Sequence, residues 1–98
     1  MTESNEQNKP EYTGGSVSYY KLQITSPTSL PSPYIAECND IIEALGMTFA
    51  EGEAFKAIWR RAAARTFGPT KKGYTDGLYD AEKVAFYGQR MVAMEQRF

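Results

Sequence analysis

Lys56 and Arg60 stand four residues apart, the spacing that places two side chains one turn apart on the same face of a helix. A lysine is a compact point charge and an arginine a planar fork of donors. Together they suit one phosphate group, with the arginine gripping it bidentately. Asp80 offers a carboxylate that either orients Arg60 or holds a hydrated magnesium ion, and Tyr19 or Tyr20 offers a ring for stacking a base. This set reads as a nucleotide site. The same residues also read as scaffold: Arg60–Asp80 as a salt bridge between helices, Trp59 as core and Tyr87 as packing.

Other chemistries fall away. The chain has no histidine, which removes His-based triads, imidazole acid–base pairs and His-containing metal sites. A single cysteine, Cys38, forms neither an internal disulfide nor a thiolate cluster, and such usage fits a reducing compartment. The string Gly68-Pro-Thr-Lys-Lys-Gly73 is not a P-loop, because Tyr74-Thr75 follow where Lys and Ser/Thr are required, and no strand precedes it. Glu37, Asp40 and Glu43 recur at spacing three, but a solvent-facing acidic edge explains them better than a magnesium site.

The formal net charge of −1 conceals a segregation. Five acids and no base lie between Glu37 and Glu53, and five bases and no acid between Arg60 and Lys72. The basic run is a candidate grip on nucleic-acid phosphates. Without helix-turn-helix spacing or a stacking platform, nucleic acid is not the expected partner. If the acidic and basic elements pack antiparallel, much of this charge pairs internally. The Lys56–Arg60 edge is then what remains for a small ligand.

These residues need elements to hold them. Residues 1–16 are polar and read as a flexible tail, leaving 17–98 as one small helical domain. Val17 to Thr25 alternates with period two, Tyr20, Leu22 and Ile24 on one side, and predicts a short strand or extended arm. With no second strand in evidence, its edges are expected to pair with another subunit or to lie across helices. Three prolines in Ser26 to Pro33 mark a linker. A first helix is expected over 33–45, with Ser32 as N-cap, Pro33 at the first helical position and Gly46 as terminator.

Thr48 and Glu51 form a capping box for a second helix, reaching about Arg65 or Thr66 and stopped by Gly68-Pro69. Its buried stripe is expected to be Phe55, Ile58, Trp59 and Ala62. A third helix starts near Leu78, with Leu78, Ala81, Val84, Ala85, Gly88, Met91 and Val92 towards the core. A second face of Tyr79, Lys83, Phe86, Arg90 and Arg97 suggests an interface. The expected fold is mainly α: an N-terminal extended arm or short strand followed by three helices, self-associating through the arm or that aromatic face. A domain this short buries a modest core.

From Tyr19 to about residue 90 the chain resembles the SaV-like, or phage nucleotide kinase-like, family of small proteins. The likeness rests on an ordered set of short strings: YYK (Tyr19 to Lys21), ECNDIIEALGMTF (Glu37 to Phe49), GEAFKAIWRRA (Gly52 to Ala62) and DAEKVAFY (Asp80 to Tyr87). The resemblance implies phosphorylation of deoxynucleoside monophosphates without a P-loop in at least one relative. Tyr20 and Lys21 match the family's Tyr-Lys; Lys56, Trp59 and Arg60 match its second-helix motif; Asp80, Lys83 and Tyr87 match its last. This sequence departs at Tyr19, where the family has histidine, at Glu53, where it has asparagine, and at Ala62, where it has glycine. The nearest basic position after that is Arg65.

The expected function is therefore a small phage-type nucleotide-binding protein and, if it is an enzyme, a deoxynucleoside monophosphate kinase. The candidate site is Tyr20, Lys21, Lys56, Arg60, Asp80 and Lys83, with magnesium arriving on a nucleotide triphosphate and no other cofactor. The alternative is a non-enzymatic interaction protein that inhibits a host protein or sequesters a signalling nucleotide. Expected partners are a nucleotide or small phosphorylated ligand, further copies of the chain and, in the alternative, a host protein. No apolar run nears the roughly 20 residues that span a bilayer, and the first residues lack the apolar core of a secretory signal. The expected location is cytoplasmic, in the host if phage-encoded.

Overall fold

The structure, a computed structural model, describes residues 18–29, 31–68 and 77–97. The expected tail, Val17 and the lysines Lys71 and Lys72 lie outside the described residues. A 3-10 turn at Ser18–Tyr20 leads into β1, Lys21–Ile24, in which Leu22 and Ile24 are half-buried while Lys21 and Gln23 face solvent. The alternation read from the sequence is thus present.

Its partner is not where the sequence pointed. Tyr34–Glu37 forms β2, antiparallel to β1, with Lys21 opposite Glu37, Leu22 opposite Ala36, Gln23 opposite Ile35 and Ile24 opposite Tyr34. The expected helix over 33–45 is therefore shortened at its start, and β1 is paired within its own chain. Ser32-Pro33 is a fair helix opening locally, but proline also fits the residue that leads into a strand. Tyr34 and Ile35 suit a pleated ribbon, and pairing supplies both strands with backbone partners.

Helix α1 spans Cys38–Leu45, with Glu37 as an extended N-cap residue making no side-chain cap. It closes at Gly46 as expected, with φ 63° and ψ 42°, a left-handed conformation in which a Cβ is disfavoured. Helix α2 spans Phe49–Phe67. The capping box is present: Thr48 Oγ1 accepts from the Glu51 N–H at 3.2 Å, and Glu51 Oε1 accepts from the Thr48 N–H at 2.9 Å. Helix α3 spans Leu78–Gln96. The molecule is mainly helical, with a short N-terminal hairpin. No described helix is long and apolar enough to cross a membrane.

The packing faces correct the expected ones. On α2 the buried residues are Ala50, Gly52, Ala54 and Ala57, whereas Phe55, Trp59 and Ala62 are half-buried and Ile58 is 53% exposed. On α3, Ala81, Val84, Gly88 and Met91 are half-buried, but Leu78, Ala85 and Val92 are exposed. Small side chains let helix backbones approach closely, so the narrow arc of α2 became its contact with the other helices, while the bulky arc turns towards the β1 side. The pairs Arg60–Asp80, Glu53–Lys83 and Phe49–Tyr87 show that α2 and α3 run antiparallel. Replacing Thr48 by alanine removes one half of the capping box. A loss of about 1 kcal/mol is expected in urea denaturation, with the m-value unchanged.

Candidate functional site

The side chains singled out from the sequence do meet, and Arg60 is where they meet. From the middle of α2 its Nε and Nη2 donate to Asp80 Oδ1 at 3.2 and 2.8 Å, and its Nη1 donates to the Tyr20 hydroxyl. Asp80 is 1% exposed and Tyr20 8% exposed. Burial works against the Arg60 cation, but the hydrogen bonds to Asp80 and Tyr20 outweigh it, and its pKa rises above the ordinary arginine value. Burial likewise pushes the Tyr20 phenol above its usual range, although Arg60 pulls in the opposite direction.

One fork thus joins α2 to the start of α3 and to the entry of β1. Beside it, the Trp59 indole N–H donates to the Tyr19 carbonyl at 3.0 Å, fixing the same turn of chain a second time. Among the described residues no buried side-chain nitrogen or oxygen lacks a partner. For Arg60 and Asp80 the scaffold reading is the one the contacts support. Within the basic stretch, Arg60 finds its counter-charge in α3, not in the acidic helix α1, while Arg61 and Arg65 are exposed. Asp40 and Glu43 are exposed, and Glu43 accepts a hydrogen bond from Asn39 at 3.0 Å.

Lys83 pairs with Glu53 at 3.0 Å and lies 5.6 Å from the centre of the Tyr79 ring. Glu53 is therefore an ion-pair partner bridging α2 and α3. Its hydrogen bond with Lys83 holds the Glu53 carboxyl below the ordinary range, and the same bond raises Lys83. Lys21 is exposed on β1.

Lys56 differs from its neighbours. Its ammonium lies 5.6 Å from the centre of the Tyr20 ring and forms no ion pair among the described residues. With Tyr20, Cys38, Asn39 and Ile42 it lines a small pocket of about 60 Å³ at the first turn of α1. Cys38 is buried there, and burial raises its thiol pKa, against a pull from Lys56 and Arg60. Among the described residues no group of three or more Cys, Asp or Glu side chains is placed to hold a metal ion.

Sequence reasoning missed an apolar groove of about 360 Å³ between β1 and the outer side of α2, with Leu22, Phe55, Ile58, Trp59 and Phe67 among its walls. The signal was the expected buried stripe itself, too bulky for a close helix contact. No family model, curated protein or solved structure matches the chain.

Two predictions follow from the ion pairs. Asp80→Asn leaves the Arg60 cation without its counter-charge in a largely buried place. It should cost about 3 kcal/mol or more in denaturant unfolding, whereas Tyr20→Phe, losing one hydrogen bond, should cost about 1 kcal/mol. Because the folded Glu53 pKa lies below its unfolded value of 4.5, its contribution is complete above that value and is lost as pH falls through the folded pKa. Stability measured from pH 6 to pH 2 should show a smaller acid-side loss in Glu53→Gln than in the unaltered chain.

Proposed function

We propose that the chain is a small nucleotide-binding protein of the phage kinase-like kind its sequence resembles, with Lys56 as the residue that takes a phosphate group. The observation that carries this reading is the position of Lys56: a cation without an ion-pair partner among the described residues, at a pocket against the first turn of α1. The pocket lies at the first turn of α1, where N–H groups and the positive end of the helix dipole add to the lysine's attraction for an anion, against the exposed Asp40 carboxylate in the same turn. The small pocket suits a phosphate group, and the rest of a nucleotide would extend outside it. Lys21, a further candidate cation, is exposed on β1.

In this reading Arg60, Asp80 and Lys83 position the site and do not touch the ligand. Magnesium would arrive on a triphosphate, held mainly by phosphate oxygens and water. Phosphoryl transfer depends on neutralising charge as it moves, and an arginine committed to Asp80 and Tyr20 contributes little to that. The geometry thus supports binding more than catalysis. The alternative, a non-enzymatic interaction protein, draws its support from the apolar groove beside β1.

Thermal unfolding with a panel of nucleoside mono-, di- and triphosphates, with and without magnesium, tests the proposal. At least one nucleotide should raise Tm, since a ligand of the folded state stabilises it. Lys56→Met should abolish that shift with little change in the Tm of the free protein. No shift with any nucleotide would overturn the reading in both its kinase and its sequestering forms. A shift without phosphoryl transfer from ATP assigns binding alone.

A further inference from the structure

We infer that a second copy of this chain packs against the side of the α2–α3 pair opposite its two ion pairs, forming a symmetric four-helix dimer. Glu53–Lys83 and Arg60–Asp80 close one side of the helix pair. At about 100° per residue, Ala85, Gly88 and Val92 on α3 fall on the other side, with Ile58 and Ala62 on α2 at its border with the groove beside β1. That side is apolar and open: Ile58 is 53% and Val92 47% exposed, Ala85 is exposed, and a Cβ built on Gly88 would meet nothing within 4 Å.

The helix pair is short of core. Among the described residues the buried apolar side chains are Tyr20, Cys38, Ala50, Ala54 and Ala57, and none belongs to α3, whose buried residue is Asp80. A 19-residue helix takes most of its stability from an apolar face in contact with another element. A second apolar layer across Val92, Ala85 and Gly88 supplies that contact, and the small residues among them allow close approach.

Charge selects a second copy as the occupant. On this same side, exposed Glu51 and Glu95 lie towards one end of the pair and exposed Arg61 and Arg65 towards the other. Two copies related by a two-fold axis across the face set the acidic end of each against the basic end of its mate, an isologous arrangement. The opposite side does not complement itself in this way. Tyr79, Phe86 and Arg90 are exposed there, and like charges would meet.

Light scattering coupled to gel filtration, on the full chain, should give twice the 11.0 kDa chain mass, with dissociation on dilution and at high salt. Ala85→Glu combined with Val92→Glu should give the single-chain mass with unchanged far-UV circular dichroism. Glu95→Arg should weaken the dimer several-fold, and adding Arg65→Glu should restore it. A wild-type chain that is monomeric at its highest soluble concentration overturns the inference. So does a dimer that survives the double glutamate variant, or a charge reversal that the second substitution fails to rescue.

Discussion

The Arg60 guanidinium is the constraint on which this structure depends. Its three donor positions reach a carboxylate from α3 and a phenol from the entry to β1, so one side chain ties three elements together. A buried ion pair is a poor source of net stability but a strong specifier, because any arrangement that separates the partners leaves a charge in a low-dielectric place. The fork defines where the α3 start and the β1 entry must sit. The alanine arc of α2 then sets how close the helices come.

This clarifies what the candidate site residues do here. Tyr20, Arg60, Asp80 and Lys83 form contacts with one another or with Glu53, so their presence as an ordered set is already explained by the fold. Lys56 is not explained in that way. Its ammonium contacts the Tyr20 ring and has no ion-pair partner among the described residues.

Much of the architecture was legible in the residues. Gly46, the Thr48–Glu51 box and the punctuation before Leu78 marked helix ends, since caps and glycines act locally. The Arg60–Asp80 bridge was one of two readings open at the start. What the residues did not disclose was non-local. Ser32-Pro33 satisfies the local rule for a helix start, and only pairing with β1, ten or more residues earlier, makes Tyr34–Glu37 a strand. The buried face of α2 was misread for a related reason: size was taken as the mark of burial, whereas a close helix pair buries its smallest residues. Lys56 and Arg60 were one pair by type and spacing, and that Arg60 is paired with Asp80 while Lys56 has no ion pair among the described residues depended on which carboxylate lay near which cation.

The contacts at Tyr19 and Tyr20 bear on how the chain assembles. The hairpin β1–β2 and the pair α2–α3 are each built from segments close in sequence, and such local units form quickly because little loop entropy opposes them. The Trp59 and Arg60 bonds to Tyr19 and Tyr20 each span 40 residues. They act as a latch between two locally folded halves. A latch of few bonds is the natural place for partial opening, so native-state hydrogen exchange would find the β-hairpin lifting from α2 at a lower free energy than the helix pair separates. The small protein is then two cooperative units in series, and the hinge between them borders the Lys56 pocket.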